Sequence, residues 1–250
     1  MSFENKVVLI TGSGSGMGEA AALLFAEKGA NVIILDINEE SANKTGEKCK
    51  QFGHKVLVIK TDLSKDDEAK NAIEQTISVF GKLDVLVNNA GIARQENLLS
   101  GNIMQTCDEV LNTNLRSVIL MTSLATPYLI KTKGCIVNTS SIFSKVTSLG
   151  AHYPVYAVSK AGVDCFTRVS ALELAPSGVR VNAVNPGPVR TNIIKNSNLD
   201  GTYDDFGAKT ALKRCSEPQE VAELIVFLAS DKAKSITGCT YGIDNGAQLV

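Results

Sequence analysis

Tyr156 and Lys160 lie four residues apart, so a helix would bring a phenol and an ammonium group to the same side. An unperturbed tyrosine has a pKa near ~10, which is too high for ready proton exchange at neutral pH. A cation one helical turn away favours the phenolate and lowers that pKa. The spacing therefore predicts an acid–base group, although such pairs also occur on solvated helix faces.

A glycine-rich segment joins the first apolar run to the first helical pattern. Glycine lets the backbone turn tightly and approach a ligand closely. The helix that follows begins with unpaired N–H groups and a partial positive charge, which suit a pyrophosphate. Turns of this kind also serve packing, but the position between strand and helix favours a dinucleotide site formed by Gly12, Ser13, Ser15, Gly16, Met17 and Gly18.

Asp36 ends the second apolar run, where its carboxylate could accept hydrogen bonds from ribose hydroxyls and would repel a 2′-phosphate. Neither Ser15 nor Ile37 is basic, so neither would neutralise that phosphate. We therefore expect NAD(H) in preference to NADP(H). Further residues follow the third and fourth strands at the same edge of the sheet, and Asp62 fits a plain turn equally well: Asp62, Leu63, Asn89, Ala90 and Gly91.

Composition excludes several other classes of protein. The 250 residues are 44% hydrophobic and 20% charged, with a net charge of −1 and no basic run for nucleic acid or anionic lipid. We expect no signal peptide and no membrane span, since no apolar stretch approaches ~18 residues. The six scattered cysteines and two histidines predict reduced thiols, no metal site and a cytoplasmic location.

Short β-rich runs alternate with helical patterns along the whole chain. The strands are expected at 6–11, 31–36, 55–61, 83–88, 134–140, 179–185 and 240–243. The helices are expected at 16–28, 39–52, 64–80, 104–131 in two pieces, 155–174 and 216–229, with capping boxes at Ser64 and Ser216. Strands that are apolar on both faces predict an α/β fold, a single-domain doubly wound (Rossmann-type) parallel sheet of about seven strands with helices on both faces. We expect one domain over 1–250, with a substrate loop at about 191–215.

Several motifs occur in the order and at the spacings typical of one family. Over essentially its whole length the chain resembles a short-chain dehydrogenase/reductase, through Thr11-Gly12-(x)3-Gly16-x-Gly18, Asn88-Asn89-Ala90-Gly91, Asn114, Ser141, Tyr156-(x)3-Lys160 and Pro186-Gly187-(x)3-Thr191. The resemblance implies an NAD(P)-dependent oxidoreductase that acts on a secondary alcohol, a ketone or a related carbonyl compound.

The same resemblance implies roles for four catalytic residues. Tyr156 would be the general acid in reduction and the general base in oxidation, while Lys160 would hold the ribose hydroxyls and lower the tyrosine pKa. Ser141 would donate a hydrogen bond to the reacting oxygen. Asn114 would bind a water that links Lys160 to solvent, and a helix break beside it would free backbone groups for that water.

Further binding residues follow from the resemblance. Thr191 would orient the nicotinamide carboxamide, and the remaining cofactor contacts would come from Pro186, Gly187 and Val189, besides Tyr156 and Lys160. The substrate would meet Ser141, Phe143, Tyr153 and Tyr156. Many candidate wall residues are apolar, which favours a medium-sized lipophilic alcohol or ketone.

Three questions stay open at this stage. Ser140 and Ser141 are adjacent on a strand end and point to opposite faces; the resemblance favours Ser141, and Ser144 is a minor rival. A homotetramer or homodimer is expected from the resemblance, with the helices around 104–131 and 155–174 as contact surfaces. The alternative function is a non-catalytic dinucleotide-binding sensor or scaffold; an epimerase or dehydratase on the same scaffold is a third possibility.

Overall fold

A single parallel sheet organises the protein, whose structure is a computed structural model describing residues 1–99, 101–146, 152–193 and 202–250. Seven strands lie in the order β3-β2-β1-β4-β5-β6-β7, and every neighbouring pair is parallel. The strands are β1 Val7–Thr11, β2 Asn31–Asp36, β3 Val56–Lys60, β4 Val85–Asn88, β5 Cys135–Thr139, β6 Arg180–Pro186 and β7 Thr240–Ile243. This arrangement confirms the predicted doubly wound sheet.

Helices cover both faces of the sheet. They are α1 Gly16–Glu27, α2 Glu39–Lys50, α3 Asp66–Phe80, α4 Ile103–Leu111, α5 Ser117–Thr132, α6 Pro154–Leu174, α7 Tyr203–Ala208 and α8 Pro218–Ala229. A π-helical segment, Asn112–Arg116, joins α4 to α5. Short 3-10 turns are formed by Ile142–Ser144, Ala175–Ser177, Asp231–Ala233 and Ala247–Leu249. None of the helices described is long and apolar enough to cross a membrane.

Alternate residues of each strand enter different cores, which explains why the strands are apolar throughout. Val8 and Ile10 pack with α1, α2 and α8 on one face. Leu9 and Leu86 pack with α3, α5 and α6 on the other face. The two layers hold the strand ends in fixed positions, and these ends carry the polar residues predicted to form the site.

The order of the strands reverses between β1 and β4, because the chain first winds outward to β3 and then returns to the far side of β1. In an open parallel sheet, such a reversal leaves a crevice outside the carboxyl ends of the two central strands. The glycine-rich segment 12–18 follows β1, and Asn89 follows β4. Both predicted binding segments therefore meet at this crevice.

Two predicted capping boxes are wrong in detail. Helix α3 begins at Asp66 without a side-chain cap, because the hydroxyl of Ser64 is donated to Asp62 at 2.7 Å instead. Helix α8 does have a capping box, but Glu217 and Glu220 form it, one residue beyond the predicted Ser216 start. The N–H of Glu217 donates to the carboxylate of Glu220 at 2.8 Å, so the helix start is closed at the residue after Ser216.

The predicted break near Asn114 is a change of helix type rather than an interruption. Helix α4 passes into the π-helical segment and continues as α5. A π-turn widens the backbone spiral by one residue, and such turns occur frequently at functional sites. Asn114 is fully buried within this turn.

The predicted substrate loop contains a regular element. Within 191–215, the described residues include helix α7, which begins with a capping box between Thr202 and Asp205. The phenol of Tyr203 contacts the backbone of Thr191. Residues 147–151 and 194–201 lie outside the described part of the chain.

Candidate active site

A cleft opens at the carboxyl edge of the sheet, where the strand order reverses. Residues from five separate segments line it: Gly12, Ser15, Gly16, Met17, Asn89, Ala90, Gly91, Ile92, Arg94, Thr139, Ser140, Tyr156, Lys160, Thr191, Asn192 and Ile193. The glycine loop, the segment after β4, the end of β5, helix α6 and the segment after β6 thus converge, as the sequence predicted.

Two glycines of the loop are required by their surroundings. Gly12 has a φ of +62°, and an added Cβ would lie 2.7 Å from the Cα of Ala90. Gly16 has a φ of +58°, and its added Cβ would lie 3.1 Å from Thr191. Side chains at these positions would be strained and would also fill the cleft.

Asn89 fixes the glycine loop against β4. Its amide nitrogen donates to the carbonyl oxygens of Thr11 and Gly12, each at 3.0 Å. In return, Thr11 accepts hydrogen bonds from the backbone N–H groups of Asn89 and Ala90. Asn89 therefore has a structural role, and its side-chain oxygen is buried without a partner among the described residues.

Ser13 and Gly18 do not fit the ligand-contact role predicted for them. Ser13 is fully buried, and its hydroxyl donates to the carbonyl of Ile10 at 2.8 Å. A Cβ on Gly18 would lie 2.2 Å from the carbonyl oxygen of Gly12. Ser13 ties the loop to the end of β1, and Gly18 permits close packing of α1 against the loop.

Asp36 lies at the end of β2 beside the glycine loop. Its carboxylate accepts hydrogen bonds from the N–H groups of Gly14 at 2.8 Å and Asn38 at 2.9 Å. Ile37 is exposed next to it. Lys60 stands opposite Asp36 in the register of β2 and β3, a neighbouring cation that spacing in the sequence did not reveal.

Asp62 stabilises a turn, which is one of the two roles that the sequence allowed for it. Its carboxylate accepts both the N–H and the hydroxyl of Ser64, and the hydroxyl hydrogen bond lowers the pKa of Asp62. The adjacent Leu63 is buried in the core beside α3. Neither residue lines the central cleft, so any contact with a ligand would be at its outer end.

Tyr156 and Lys160 lie on the first two turns of α6, with the lysine ammonium nitrogen 5.7 Å from the centre of the phenol ring. Lys160 is almost wholly buried, and burial lowers its pKa to about 8. Its ammonium group donates to the carbonyl oxygen of Thr139 at 2.8 Å. A Cβ on Gly91 would lie 3.4 Å from the same nitrogen, so the segment after β4 closely borders the ammonium group.

The expected lowering of the tyrosine pKa by Lys160 is wrong for the protein without ligand. Burial raises the pKa of Tyr156, and a hydrogen bond with Ser141 opposes that rise only in part. Burial disfavours a phenolate, and the lysine nearby is itself buried and hydrogen-bonded to Thr139. The environment of the isolated chain therefore keeps Tyr156 protonated.

The geometry separates the three candidate serines. Ser141 interacts with the hydroxyl of Tyr156. Ser140 borders the cleft, but its hydroxyl donates to the carbonyl oxygen of Lys160 at 3.0 Å. Ser144 donates to Asp164 at 2.6 Å, outside the cleft. Of the three, Ser141 is the one beside the phenol.

Asn114 connects the π-helical segment to the cleft. Its amide nitrogen donates to the carbonyl oxygen of Ile92 at 2.8 Å and to the hydroxyl of Ser159 at 3.1 Å, and its amide oxygen accepts the N–H of Ile92 at 2.8 Å. The side chain is thus occupied by protein partners. Any water held at this position would need a backbone group of the π-turn.

Aromatic rings form the wall beside the phenol. Phe143 packs edge-to-face on Tyr156, with ring centres 5.5 Å apart, and on Tyr153, with ring centres 5.9 Å apart. The predicted substrate residues Ser141, Phe143, Tyr153 and Tyr156 are therefore contiguous. His152 is exposed next to them.

The segment after β6 forms the opposite side of the cleft. Gly187 donates its N–H to the carbonyl oxygen of Ile243 at 3.1 Å, and Val189 is buried. Thr191 alone of the residues predicted in this segment lines the cleft, facing Gly16. Pro186, Gly187 and Val189 therefore support the position of Thr191 from behind.

The sequence did not indicate a role for two residues of the site, Thr139 and Ile92. Thr139 and Ile92 line the cleft and bind the catalytic candidates through their backbone. Arg94 also lines it and forms a two-point ion pair with Glu109 of α4. The position of Thr139, directly before the serine pair, was the available signal, whereas the ion pair depends on tertiary packing.

The residues of the cleft fit a dinucleotide. Two buried oxygen atoms, from Asn89 and Thr139, have no partner among the described residues, and the glycines leave a cradle that side chains would fill. Helix α1 presents its N-terminus to the same cradle. Within the described residues no group of three or more His, Cys, Asp or Glu side chains could hold a metal ion.

Comparison with known proteins agrees with this geometry. Residues 12–248 match the family described as Enoyl-(Acyl carrier protein) reductase. The chain is 39% identical to a 3-oxoacyl-(acyl-carrier-protein) reductase of Thermotoga maritima over 98% of this chain and 99% of the relative. It is 36% identical to a meso-2,3-butanediol dehydrogenase of Serratia marcescens over 99% of this chain and 96% of the relative.

A solved structure is similar in both fold and sequence. The 3-ketoacyl-(acyl-carrier-protein) reductase from Brucella melitensis complexed with NADH superposes with a TM-score of 0.91 and 32% identity, covering 98% of this chain and 99% of that chain. Family match, relatives and fold all extend over nearly the full length. The chain belongs to the short-chain dehydrogenase/reductase family of oxidoreductases.

Proposed function

We propose that the protein is an NAD(H)-dependent dehydrogenase or reductase that interconverts a secondary alcohol and a ketone. The observation that carries the proposal is the convergence of Tyr156 and Lys160 on one wall of a cleft that fits a dinucleotide, with Ser141 hydrogen-bonded to the phenol of Tyr156. A phenol and a hydroxyl side by side can hold one carbonyl oxygen from two directions.

Each of these residues has a distinct task. The nicotinamide cofactor supplies the hydride chemistry when bound. Tyr156 gives a proton to the reacting oxygen in reduction and takes it back in oxidation, and Ser141 donates a hydrogen bond that stabilises charge on that oxygen. Lys160 uses one ammonium proton on Thr139, which leaves two for ribose hydroxyls.

The proposal includes a preference for NAD(H) over NADP(H). Asp36 places a carboxylate at the end of β2, next to the N–H groups of the glycine loop. A negative charge there favours ribose hydroxyls and repels a 2′-phosphate. Lys60 lies in register with Asp36 and is the group that would weaken this repulsion.

The substrate class is proposed from the wall and from the relatives. Phe143 packs edge-to-face against both Tyr153 and Tyr156, so the reacting carbon meets aromatic surface. The two named relatives act, by name, on a 3-oxoacyl group and on a butanediol. A ketone or secondary alcohol is common to both, and a medium-sized lipophilic one suits the aromatic wall.

Assembly as a homotetramer or homodimer is also part of the proposal. Helix α6 exposes an apolar row on the side away from the cleft, with Val158 62%, Val169 57% and Leu172 80% exposed. Helix α5 adds Ile119 and Ile130. Apolar side chains in a row on a surface helix favour burial against a second copy.

The cellular location and the domain organisation are also part of the proposal. All six cysteines lie in the described part of the chain and are free thiols, which supports a cytoplasmic location. The seven-stranded sheet includes strands from residue 7 to residue 243, which supports one domain over 1–250 with the substrate loop at about 191–215.

Replacing Tyr156 with Phe tests the proposal, because only the hydroxyl is lost. We expect NADH to bind with nearly unchanged affinity, measured by its fluorescence. Turnover on a panel of secondary alcohols and ketones should fall by about 10²–10⁴-fold. The wild-type chain is the reference for both measurements.

Two outcomes would contradict the proposal. Equal turnover by the Tyr156→Phe variant would remove the tyrosine from the chemistry. NADH binding by the wild type without turnover of any panel member would favour the alternative, a sensor or scaffold protein. The aromatic wall and the contact between the phenol of Tyr156 and Ser141 favour the enzyme, since a sensor needs neither.

A further inference from the structure

A buried carboxylate lies one turn beyond Lys160 on helix α6. Asp164 is 4% exposed. Its partners are neutral: the hydroxyl of Ser144 donates at 2.6 Å, and the side-chain amide of Asn185 lies 3.0 Å from each carboxylate oxygen. Among the described residues it forms no ion pair. Burying an unpaired charge costs free energy, so its position needs an explanation beyond packing.

The partners of Asp164 also hold the backbone of Ser141. Asn185 and the N–H of Ser144 each donate to the carbonyl oxygen of Ser141 at 3.1 Å, and the hydroxyl oxygen of Ser144 lies 2.7 Å from the same carbonyl oxygen. The 3-10 turn Ile142–Ser144 starts directly after Ser141. Asp164 thus anchors both groups that determine where Ser141 and Phe143 are placed beside Tyr156.

This network contains fewer hydrogen-bond donors than acceptors. The Asn185 amide has two protons, and the Ser144 hydroxyl has one. They serve the two oxygens of Asp164, the carbonyl oxygen of Ser141 and the hydroxyl oxygen of Ser144. Asp164 accepts from both Asn185 and Ser144, and it therefore holds in place the two residues that contact the carbonyl oxygen of Ser141.

Asp164 also acts on Lys160. Its negative charge raises the pKa of the ammonium group, which burial lowers. The other titratable group of α6 at this position is Tyr156, and Arg94 lines the same cleft from the segment after β4. Asn114 of the π-helical segment and Thr139 of β5, which also border the lysine, are uncharged.

We propose that Asp164 is a positioning residue for the reaction: it fixes the Ser141 turn through Asn185 and Ser144 and balances the buried charge of Lys160. It lies behind the cleft and touches neither the reacting atoms nor the cofactor cradle. The expected effect of Asp164 on turnover rests on the proposed function. The expected effect on Lys160 requires only that the protein binds NADH.

Three variants separate the two effects. Asp164→Asn removes the charge and disturbs the network. Ser144→Ala removes one arm that holds Ser141 and leaves the charge in place. Thr167→Val is the matched control, because Thr167 is buried on the same helix and accepts a hydrogen bond from Asn138 at 2.9 Å, away from the Ser141 turn.

NADH affinity is measured by fluorescence from pH 6 to pH 10, and kcat and KM are measured with the panel member that the wild type turns over fastest. In Asp164→Asn, the alkaline loss of NADH affinity should move to lower pH by roughly one unit. Its kcat should fall by about tenfold or more, with a smaller change in KM. Ser144→Ala should lower kcat and leave the pH of the affinity loss unchanged.

The result expected for the control variant differs from the results that would overturn the inference. Thr167→Val should lose stability to denaturant and keep both kcat and the pH dependence. Wild-type pH dependence and kcat in Asp164→Asn would overturn the inference, and so would the same changes in Thr167→Val. If Asp164→Asn does not fold, an unchanged kcat in Ser144→Ala overturns the positioning role. Absence of turnover in the wild type would refute the proposed function alone, while the NADH titration still tests the charge effect.

Discussion

The ammonium nitrogen of Lys160 lies 2.8 Å from the carbonyl oxygen of Thr139, at the last residue of β5. This contact fixes the lysine to the sheet as well as to its own helix. It also directs the ammonium group to the floor of the cleft, 5.7 Å from the centre of the Tyr156 ring. The ammonium group of Lys160 is therefore positioned to bind a ligand in the cleft, although burying its charge is unfavourable.

We predict that Lys160→Met stabilises the ligand-free protein at pH 7. Burial lowers the pKa of Lys160 to about 8 from 10.5, so the charged lysine opposes folding, by up to about 3 kcal/mol before the loss of the Thr139 hydrogen bond is counted. Denaturant unfolding measures this difference. NADH affinity, measured by fluorescence, should fall in the same variant.

The pH dependence of this effect has a definite sign. Between pH 8 and pH 10.5 the folded lysine is mostly neutral, whereas the unfolded one is still protonated. Since the unfolded state binds more protons, the wild type gains stability with rising pH, and its disadvantage relative to Lys160→Met should shrink. The exposed Lys70→Met is the control and should show no such trend. A gap that widens with pH would disprove the buried-charge explanation.

The adjacent serines Ser140 and Ser141 should respond differently to replacement by alanine. Ser141 interacts with the phenol of Tyr156 and accepts the N–H of Phe143 at 3.2 Å. Its loss should lower kcat by about 10²–10³-fold and cost about 1 kcal/mol of stability. Ser140 donates to the carbonyl oxygen of Lys160. Its loss should cost about 1 kcal/mol of stability and have a much smaller effect on kcat.

Steady-state kinetics and denaturant unfolding of the two serine variants provide the comparison. Each variant is the control for the other, because both residues are almost fully buried at the same strand end. A larger loss of kcat in Ser140→Ala than in Ser141→Ala would reverse the assignment of the serine beside the substrate.

The sequence predicted those features that depend on local pattern. Seven strands, their parallel pairing and the convergence of Gly12, Tyr156 and Thr191 follow from apolar runs and from residues at strand ends. The capping residue of α8 was misplaced by one position, because serine and glutamate can each cap a helix and the sequence pattern alone does not separate them.

Features that depend on tertiary packing could not be predicted in this way. The protonation of Tyr156 follows from its burial, which a spacing of four residues to Lys160 does not reveal. Asp164 and Asn185 are 21 residues apart and belong to different elements. Their contact exists only because α6 packs against β6, and the same is true of the ion pair between Arg94 and Glu109.

A methyl group at Gly12 should be more damaging than one at Gly81. Both glycines have positive φ, +62° and +73°, so alanine is strained at either position. Only at Gly12 does the added carbon meet backbone, 2.7 Å from the Cα of Ala90, while Gly81 has open space. We expect Gly81→Ala to cost about 1 kcal/mol, and Gly12→Ala to cost more and to abolish NADH binding. Equal losses of stability and retained NADH binding would contradict the close-approach explanation.

Coenzyme preference should change with the charge at the end of β2. The double variant Asp36→Ala with Ile37→Arg removes a carboxylate that repels a 2′-phosphate and adds a cation that attracts it. The ratio of kcat/KM for NADH to that for NADPH should fall by about 100-fold, which corresponds to about 2.7 kcal/mol.

Asp36→Asn is the control for structure, since it keeps an oxygen acceptor for the N–H of Gly14 and should change the ratio less. Lys60 lies in register with Asp36, so Lys60→Ala should move the ratio in the opposite direction, toward NADH. A wild-type protein that already prefers NADPH at equal concentrations would show that Lys60 outweighs Asp36 and that the electrostatic reading of the ribose site is wrong.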